Sequence, residues 1–427
     1  MNDTAHQEKH FENYVVAKLA EQGWQIGDTI KYDTEGALYA DDLIAWLEAS
    51  GQGQKWAKLK KDNGNRAFEV LMNRLVKALE TYGTIQALRQ GFSIAGCGHI
   101  DLSEAAPEDK RNADVLKRYA ANILRVVPQL QYHPSRKLAI DLVLFINGIP
   151  ISTVELKTDF TQSAEAAMDQ YRTDRLPYDP KTKRREPLLT FKRGAVVHFA
   201  MSDSEIQMAT KLDGENTCFL PFNQGNEGYA GNPPGRLLAD GTREYPVAYF
   251  WEQVCQRDAW LRIFHSFVYV EKKDVIDLKG NWSKKETLIF PRFHQWSAVN
   301  EMIEDARKNG PGMSYLADHS AGSGKTSTIS WTAHDLVKLR RDNGEAIFSS
   351  VIVVTDRTVL DSQLQDAVKQ IDHQFGVIAA IDRQKSSRSK SQQLAEALLA
   401  GTPIIVVTIQ TFPLCDGSHH DREEAEG

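Results

Sequence analysis

Residues 138–157 read LAIDLVLFINGIPISTVELK, two apolar segments separated by an Asn-Gly pair. This pattern predicts a hairpin of two buried strands. Asp141 is the one charged residue of the first segment, and a carboxylate in a buried strand is costly unless it has a partner or binds a metal ion. In the second segment, side chains alternate across the strand, so Glu155 and Lys157 face one side and Leu156 the other. The stretch therefore predicts a charged site on a buried sheet.

The register of this hairpin decides whether the two carboxylates meet. A strict two-residue turn at Asn147-Gly148 would leave Asp141 and Glu155 on opposite faces, because one residue of slip reverses every side chain. Pro150 disfavours such tight pairing. We therefore predict that a longer loop or a β-bulge shifts the register by one residue.

Asp141, Glu155 and Lys157 stand in the pattern Asp-x13-Glu-x-Lys, which resembles the signature of PD-(D/E)xK nucleases. The chemistry explains the residue types. Two carboxylates hold Mg²⁺ beside the scissile phosphate, where the metal polarises the phosphoryl oxygen and lowers the pKa of a bound water. Lys157 would orient that water or stabilise the developing negative charge. The alternative is a surface salt bridge, since these residue types recur by chance.

Other residues are candidate members of the same site. Glu12 lies on a predicted helix and is either an additional acidic member or a solvated helix residue. On the helix predicted after the hairpin, Gln170, Tyr171 and Arg172 are candidate DNA contacts. Nucleases linked to helicases often carry QxxxY here, whereas this chain has Asp174 four residues after the glutamine.

A second motif, AGSGKT at residues 321–326, joins a predicted strand to a predicted helix. Glycines allow backbone amides to surround a triphosphate, and the helix N-terminus favours its charge. Lys325 would contact the β- and γ-phosphates of ATP, and the Thr326 hydroxyl would bind Mg²⁺. His319 replaces the first glycine of the longer pattern, and a chance glycine loop is the alternative. The candidate ATP-binding residues of the loop are Gly322, Ser323, Gly324, Lys325 and Thr326.

One residue and two segments around this loop resemble parts of superfamily 2 helicases. Gln295, upstream, resembles the glutamine that reads adenine, since its amide both donates and accepts; an ordinary polar residue is the alternative. Residues 353–357 and 407–412 resemble DNA-contacting motifs of the first helicase lobe. Asp356 is alternatively a helix N-cap, and Thr408 an ordinary strand residue.

The predicted elements indicate an α/β protein. Predicted helices span Phe11–Gln22, Ala40–Ala49, Ala67–Tyr82, Lys325–Arg341 and Ser391–Leu399, and Val247–Val270 is predicted to be helical and buried. Predicted strands span Leu138–Ile146, Ile151–Lys157, Ala195–Met201, Ser314–Ala317, Ile347–Thr355 and Ile404–Ile409. After Leu288 strands and helices alternate, which indicates a parallel sheet. We expect a PD-(D/E)xK-type nuclease domain at 1–270, a charged linker at 271–287 and a RecA-like helicase lobe at 288–427.

Composition sets the remaining limits. The net charge of −6 neither supports nor excludes DNA binding, because DNA is gripped by local basic patches. One such patch is Lys181, Lys183, Arg184, Arg185, Lys192 and Arg193, which is either a DNA contact or a solvated, flexible loop. The four cysteines form no CxxC pair, and no apolar run is long enough to span a membrane. We expect a cytoplasmic protein with no membrane partner.

A nuclease motif followed by a helicase lobe, from Phe11 to about Phe412, resembles the restriction subunit of type I restriction–modification enzymes. The resemblance implies Mg²⁺, ATP and double-stranded DNA, with modification (methyltransferase) and specificity subunits as partners. It also implies a DEAH-type motif, but none follows Gln410, so we expect an incomplete, truncated motor lobe. The alternatives are another nuclease–helicase of repair or defence, or a non-catalytic remnant that binds DNA or ATP.

Overall fold

The computed structural model describes residues 2–159, 163–276, 280–356, 365, 367–368, 378–381 and 389–412. The chain divides into two compact units. Unit 1 comprises Met1–Pro107, Asn112–Val268 and Thr287–Phe293, and unit 2 comprises Glu108–Arg111, Tyr269–Glu286 and His294–Gly427. Residues 271–287, expected from the sequence to be a linker, include most residues of a two-stranded sheet.

Both units contain helices and strands. The α-helices are α1 Asn2–Glu21, α2 Ala40–Ala49, α3 Gly53–Asn63, α4 Ala67–Tyr82, α5 Thr84–Gln90, α6 Ala113–Ala121, α7 Ala164–Thr173, α8 Arg257–Arg262, α9 Phe293–Asn309, α10 Lys325–Lys338 and α11 Lys390–Leu399. The strands are β1 Gln25–Ile26, β2 Phe92–Ile94, β3 Gly98–Ile100, β4 Leu124–Gln131, β5 Ala139–Ile146, β6 Ile149–Leu156, β7 Val197–Met201, β8 Ile206–Ala209, β9 Leu220–Pro221, β10 Tyr269–Ile276, β11 Trp282–Ile289, β12 Val351–Thr355, β13 Ile378–Ala380 and β14 Ile404–Thr408.

A mixed seven-stranded sheet, in the order β1-β4-β5-β6-β7-β8-β9, organises unit 1. β4, β5 and β6 are antiparallel neighbours, whereas β6 and β7 run parallel because α7 connects them. Every residue of β6 is buried, as expected for a central strand covered on both faces. α7 packs on one face through Ala167, Met168 and Tyr171.

The hairpin of β5 and β6 contains the predicted register shift. Ile146 pairs with Ile149 across the two-residue turn, but Leu144 pairs with Ser152, so one residue of β6 has no partner between these pairs. This bulge brings Leu142 opposite Val154. The neighbouring residues on each strand then face the same side. The predicted bulge is confirmed.

The turn itself requires its glycine. Gly148 has φ +83°, and a Cβ at this position would overlap the carbonyl oxygen of Tyr39. Asn147 precedes it with φ 50°, a conformation that asparagine tolerates better than most residues. The Asn147 side chain also accepts a hydrogen bond from the Ile123 amide at 2.7 Å, which fixes the end of the hairpin against β4.

Unit 2 contains a three-stranded parallel sheet in the order β12-β14-β13. The predicted parallel sheet after Leu288 is thus confirmed. The predicted strand at Ser314–Ala317 is wrong, because these residues form no strand. Leu316 is 93% exposed there, and the segment has no pairing strand to bury its apolar residues. No helix in the described ranges has the length and apolarity needed to cross a membrane.

Candidate functional site

The register shift brings two carboxylates together in unit 1. Asp141 lies on β5, and its Oδ2 accepts a hydrogen bond from the Leu156 backbone amide at 2.7 Å. Glu155 lies on β6 and is fully buried. Its Oε2 has no hydrogen-bond partner in the structure. A buried oxygen of this kind is costly unless it binds a proton or a cation.

An arginine that the sequence reasoning missed contacts this pair. Arg175 lies two residues after α7, and its Nε donates to Glu155 Oε1 at 2.5 Å. Its side chain is only 8% exposed. Burial, and then the Asp141 carboxylate, raise the pKa of Glu155, while the Arg175 guanidinium opposes the rise. Arg175 therefore helps to keep a carboxylate in a position that disfavours charge.

Glu12 joins the carboxylate pair through Gln129. Glu12, on α1, is 3% exposed and forms an ion pair with Lys9. The Gln129 Nε2 donates to Glu12 Oε2 at 2.5 Å and to Asp141 Oδ1 at 3.0 Å. Gln129 itself has φ 48° within β4, and strained backbone of this kind persists where surrounding contacts fix it. Glu12 is thus a buried neighbour of the site and not a solvated helix residue.

Lys157 extends the same face just beyond the end of β6. Its backbone amide donates to the Met201 carbonyl at 2.8 Å, which continues the pairing with β7. Its Nζ lies 3.7 Å from Glu8 Oε2, and its side chain is 12% exposed. The ammonium group therefore has limited access to solvent and lies beside the Glu8 carboxylate of α1.

The donor set of this site is small. Among the residues that the structure describes, no group of three or more His, Cys, Asp and Glu side chains is arranged to hold a metal ion. Asp141 and Glu155 supply two carboxylates, and Glu155 Oε2 is buried without a partner. This set fits Mg²⁺, which is commonly bound by one or two carboxylates and keeps several waters.

The candidate DNA contacts on α7 are placed differently. The Tyr171 hydroxyl is buried and lies 2.7 Å from Thr153 Oγ1, so the expectation that it contacts DNA is wrong. The apolar face of α7 turns this ring toward the sheet. Arg172 is bound to carboxylates of its own helix, Glu165 and Asp169, each at 2.9 Å. Gln170 is half-buried.

The glycine-rich loop of unit 2 precedes α10, as predicted. Gly322 and Gly324 have φ values of 74° and 84°, which a residue with a Cβ rarely adopts. Lys325 Nζ donates to the carbonyls of His319 at 2.7 Å and Ser320 at 3.0 Å. The Lys325 ammonium is thus folded over its own loop, at the place where a phosphate would sit in a loop of this type.

Gln295 contacts this loop directly. It is 5% exposed, and its Nε2 donates to the Gly324 carbonyl at 3.0 Å. Ser323 is also buried, and its Oγ has no hydrogen-bond partner. Thr326 is half-buried in the first turn of α10. The structure therefore places the residues predicted to bind a nucleotide next to one another.

Two further candidates lie at the carboxyl ends of neighbouring parallel strands. Thr355 and Thr408 are paired at the ends of β12 and β14. Gln410 Nε2 donates to the Asp356 carbonyl at 3.0 Å, which links the two strand ends. Arg357, which belongs to the first of these motifs, and the polar tail after Phe412 lie outside the described residues.

Comparisons with known proteins match two separate segments of the chain. Residues 6–217 match the family model of the type I restriction enzyme R protein N terminus, and residues 294–426 match that of the SWI2/SNF2 ATPase. The chain is 25% identical over 287 residues to the type I restriction enzyme HindI endonuclease subunit of Haemophilus influenzae, an alignment covering 64% of this chain and 23% of that protein. It is 24% identical over 261 residues to the putative type I restriction enzyme MjaVIIIP endonuclease subunit of Methanocaldococcus jannaschii, covering 59% and 22%.

Proposed function

We propose that unit 1 is the DNA-cleaving centre of a restriction subunit. The chain is related to the restriction subunits of type I restriction enzymes, which supports this proposal. The observation that carries the proposal is the convergence of Asp141 and Glu155 across the bulged hairpin, with Lys157 on the same face. The residue types and their placement on the hairpin resemble those of PD-(D/E)xK nucleases, which supports the proposal. The matched segment covers less than a quarter of each relative.

In the proposed mechanism, the carboxylates of Asp141 and Glu155 would hold Mg²⁺. When bound, Mg²⁺ would polarise the phosphoryl oxygen and lower the pKa of a coordinated water. Arg175 donates to Glu155 Oε1, which leaves Oε2 without a hydrogen bond and available to a cation. Lys157 positions the attacking water or stabilises negative charge on the phosphate. Burial of Glu155 excludes bulk water and strengthens these interactions.

In unit 2, we propose a nucleotide site of the RecA-like type. The glycine-rich loop and the N-terminus of α10 would bind the phosphates of ATP, and Thr326 would bind Mg²⁺. Gln295 would read adenine while its amide contacts Gly324. The proposed partners of the chain are modification and specificity subunits. In the full complex, ATP hydrolysis would move double-stranded DNA.

A plasmid-nicking assay with Mg²⁺ tests the nuclease. The parent chain should convert supercoiled plasmid to the nicked form, and EDTA should stop the reaction. Lys157→Ala should cleave about 100-fold more slowly, the usual cost of losing one electrostatic group at a reacting phosphate. Lys117→Ala, an exposed lysine on α6 of the same unit, is the matched control and should cleave like the parent.

Equal cleavage by the parent and Lys157→Ala would place the activity elsewhere. If the parent does not cleave, Mn²⁺ binding measured by calorimetry decides between the remaining alternatives. Binding that is lost in Asp141→Asn supports a nuclease centre that needs its partner subunits. No binding by the parent supports the alternative of a remnant without catalytic activity.

Lys325→Ala should weaken ATP binding about tenfold or more, because a charge-assisted hydrogen bond to phosphate contributes about 1.5–3 kcal/mol. A fluorescent ATP analogue titrated into the full chain measures the effect. Lys338→Ala, at the exposed end of the same helix, is the control. Unchanged affinity in Lys325→Ala would contradict the nucleotide site.

A further inference from the structure

The basic stretch that the sequence left open is a folded hairpin in unit 1. We call residues 178–185 the basic hairpin. The Asp179 amide donates to the Arg184 carbonyl at 2.7 Å, and the Lys183 amide donates to the Asp179 carbonyl at 2.9 Å. Asp179 Oδ1 also accepts from the Lys181 amide at 2.8 Å. These bonds give the segment a defined shape, so the alternative of a flexible loop is not what the structure shows.

The base of the hairpin is fixed to the sheet that carries the carboxylates. Asp179 Oδ2 lies 2.6 Å from Arg136 Nη2, on the connection between β4 and β5. On the same connection, His133 Nε2 lies 3.3 Å from Glu186 Oε1, directly after the hairpin. Arg175, the ion-pair partner of the buried carboxylate, comes four residues before Asp179. The hairpin therefore has a fixed position relative to the candidate centre.

The outer side of the basic hairpin presents cations and an aromatic ring. Lys181, Lys183 and Arg185 are exposed, and Tyr178 is 48% exposed. The Lys183 Nζ lies 5.9 Å from the centre of the Tyr178 ring. Cations interleaved with an exposed aromatic ring suit a nucleic-acid backbone, where lysine and arginine contact phosphate and tyrosine donates to it.

A cavity of about 400 Å³ adjoins this surface. Six of its lining residues carry polar side chains, namely Glu80, Thr81, Arg185, Thr190, Lys192 and Arg193. Arg185 belongs both to the cavity and to the basic hairpin, so the two are continuous. Glu35 forms an ion pair with Arg184 at 2.8 Å and offsets the charge of that one arginine.

We propose that the basic hairpin and the adjoining cavity are a docking surface for the phosphate backbone of duplex DNA. The chain as a whole carries a net charge of −6, so this local positive surface would act against a repulsive background. The choice of DNA as the ligand rests on the proposed function of unit 1. The surface would hold the duplex while the carboxylate pair acts on one strand.

DNA binding without cleavage tests the surface. A fluorescent duplex of about 30 base pairs is titrated with the full chain in EDTA, at salt concentrations from about 50 to 200 mM, and anisotropy is measured. Lys181→Gln/Lys183→Gln/Arg185→Gln should bind at least about tenfold more weakly than the parent. Its plot of log affinity against log salt concentration should be less steep by about 3, because each lost phosphate contact reduces the magnitude of the slope by about 0.9.

The matched control removes the same three charges elsewhere in unit 1. Lys58→Gln/Lys60→Gln/Lys61→Gln alters exposed lysines of α3 and should keep the affinity and the salt slope of the parent. Equal weakening by both triple variants, or no duplex binding by the parent, would overturn the proposal. Because binding is measured without Mg²⁺, its outcome does not depend on cleavage. A chain that binds duplex through the hairpin but neither cleaves DNA nor binds Mn²⁺ would contradict the nuclease and leave the docking surface intact.

Discussion

Arg175→Met is expected to lower the free energy of unfolding of unit 1 by about 3 kcal/mol near neutral pH and to abolish plasmid nicking. Removing one partner of a buried ion pair leaves the other charge uncompensated, which costs about 3–5 kcal/mol. Glu155 can limit this cost by taking up a proton, since burial already raises its pKa. Beside Arg175 the pKa of Glu155 is raised to about 8. Without the opposing guanidinium the pKa rises further, so the variant should lose stability, relative to the parent, as the pH rises above about 8.

Hydrogen–deuterium exchange of peptides from β6, read by mass spectrometry, measures this stability within unit 1. Arg172→Met is the control, because its ion pairs lie on the surface of α7 and contribute about 0.5 kcal/mol or less. Glu155→Leu/Arg175→Met replaces both partners by apolar groups and should recover most of the stability without recovering cleavage. If the single variant exchanges like the parent, the ion pair does not contribute to the fold of the site.

Acidification should destabilise β7 through His198. This imidazole is buried, and burial lowers its pKa to about 3. Thr153 Oγ1 lies 2.8 Å from His198 Nδ1, and the Tyr171 hydroxyl lies 2.7 Å from the same Thr153 oxygen. The unfolded chain takes up a proton below the ordinary histidine pKa of about 6.5, whereas the folded state does not. Stability is therefore lost as the pH falls from about 6.5 toward 3, by about 1.4 kcal/mol per pH unit.

The comparison with His198→Asn isolates this contribution. Asparagine keeps an acceptor for Thr153 but does not titrate, so its stability should fall less steeply with acid. Between about pH 6.5 and 4.5 the parent should lose about 2–3 kcal/mol more than the variant, measured by exchange of β7 peptides. Glu155 has the opposite pH dependence, but it is common to both proteins and cancels. Parallel pH profiles would show that the fold does not lower the pKa of this imidazole.

Much of the fold could be predicted where the apolar pattern was long and regular. The bounds of α2 and α4 agree with the predicted Ala40–Ala49 and Ala67–Tyr82, because their apolar residues recur at helical spacing. The bulge could be predicted because the unshifted hairpin register would have separated two carboxylates that the motif requires on one face. Asp141 and Glu155 could share a face only if the register shifted. Pro150, which we expected to oppose the unshifted pairing, pairs with Phe145 in that register, and the shift follows it.

The site residues that could not be predicted from the sequence lie outside such regular apolar patterns. Arg175 follows the end of α7, and its ion pair with Glu155 depends on how the chain returns to the sheet. Gln129 is exposed and has an unusual backbone conformation inside a strand, which spacing does not reveal. Residues 314–317 were predicted as a strand from composition, but a strand also needs a neighbour. Tyr171 was placed wrongly because its hydroxyl has a buried partner on β6.

The bulge in β6 has a consequence for insertions and deletions. Ile151 is the residue of β6 that has no pairing partner on β5. It lies between Pro150, which pairs with Phe145, and Ser152, which pairs with Leu144. Deleting this isoleucine would remove no charged or polar group, yet it would restore even alternation along the hairpin. Glu155 would then move to the face opposite Asp141. The chemistry of the site thus depends on the parity of the residue count between the two carboxylates as much as on the residues themselves.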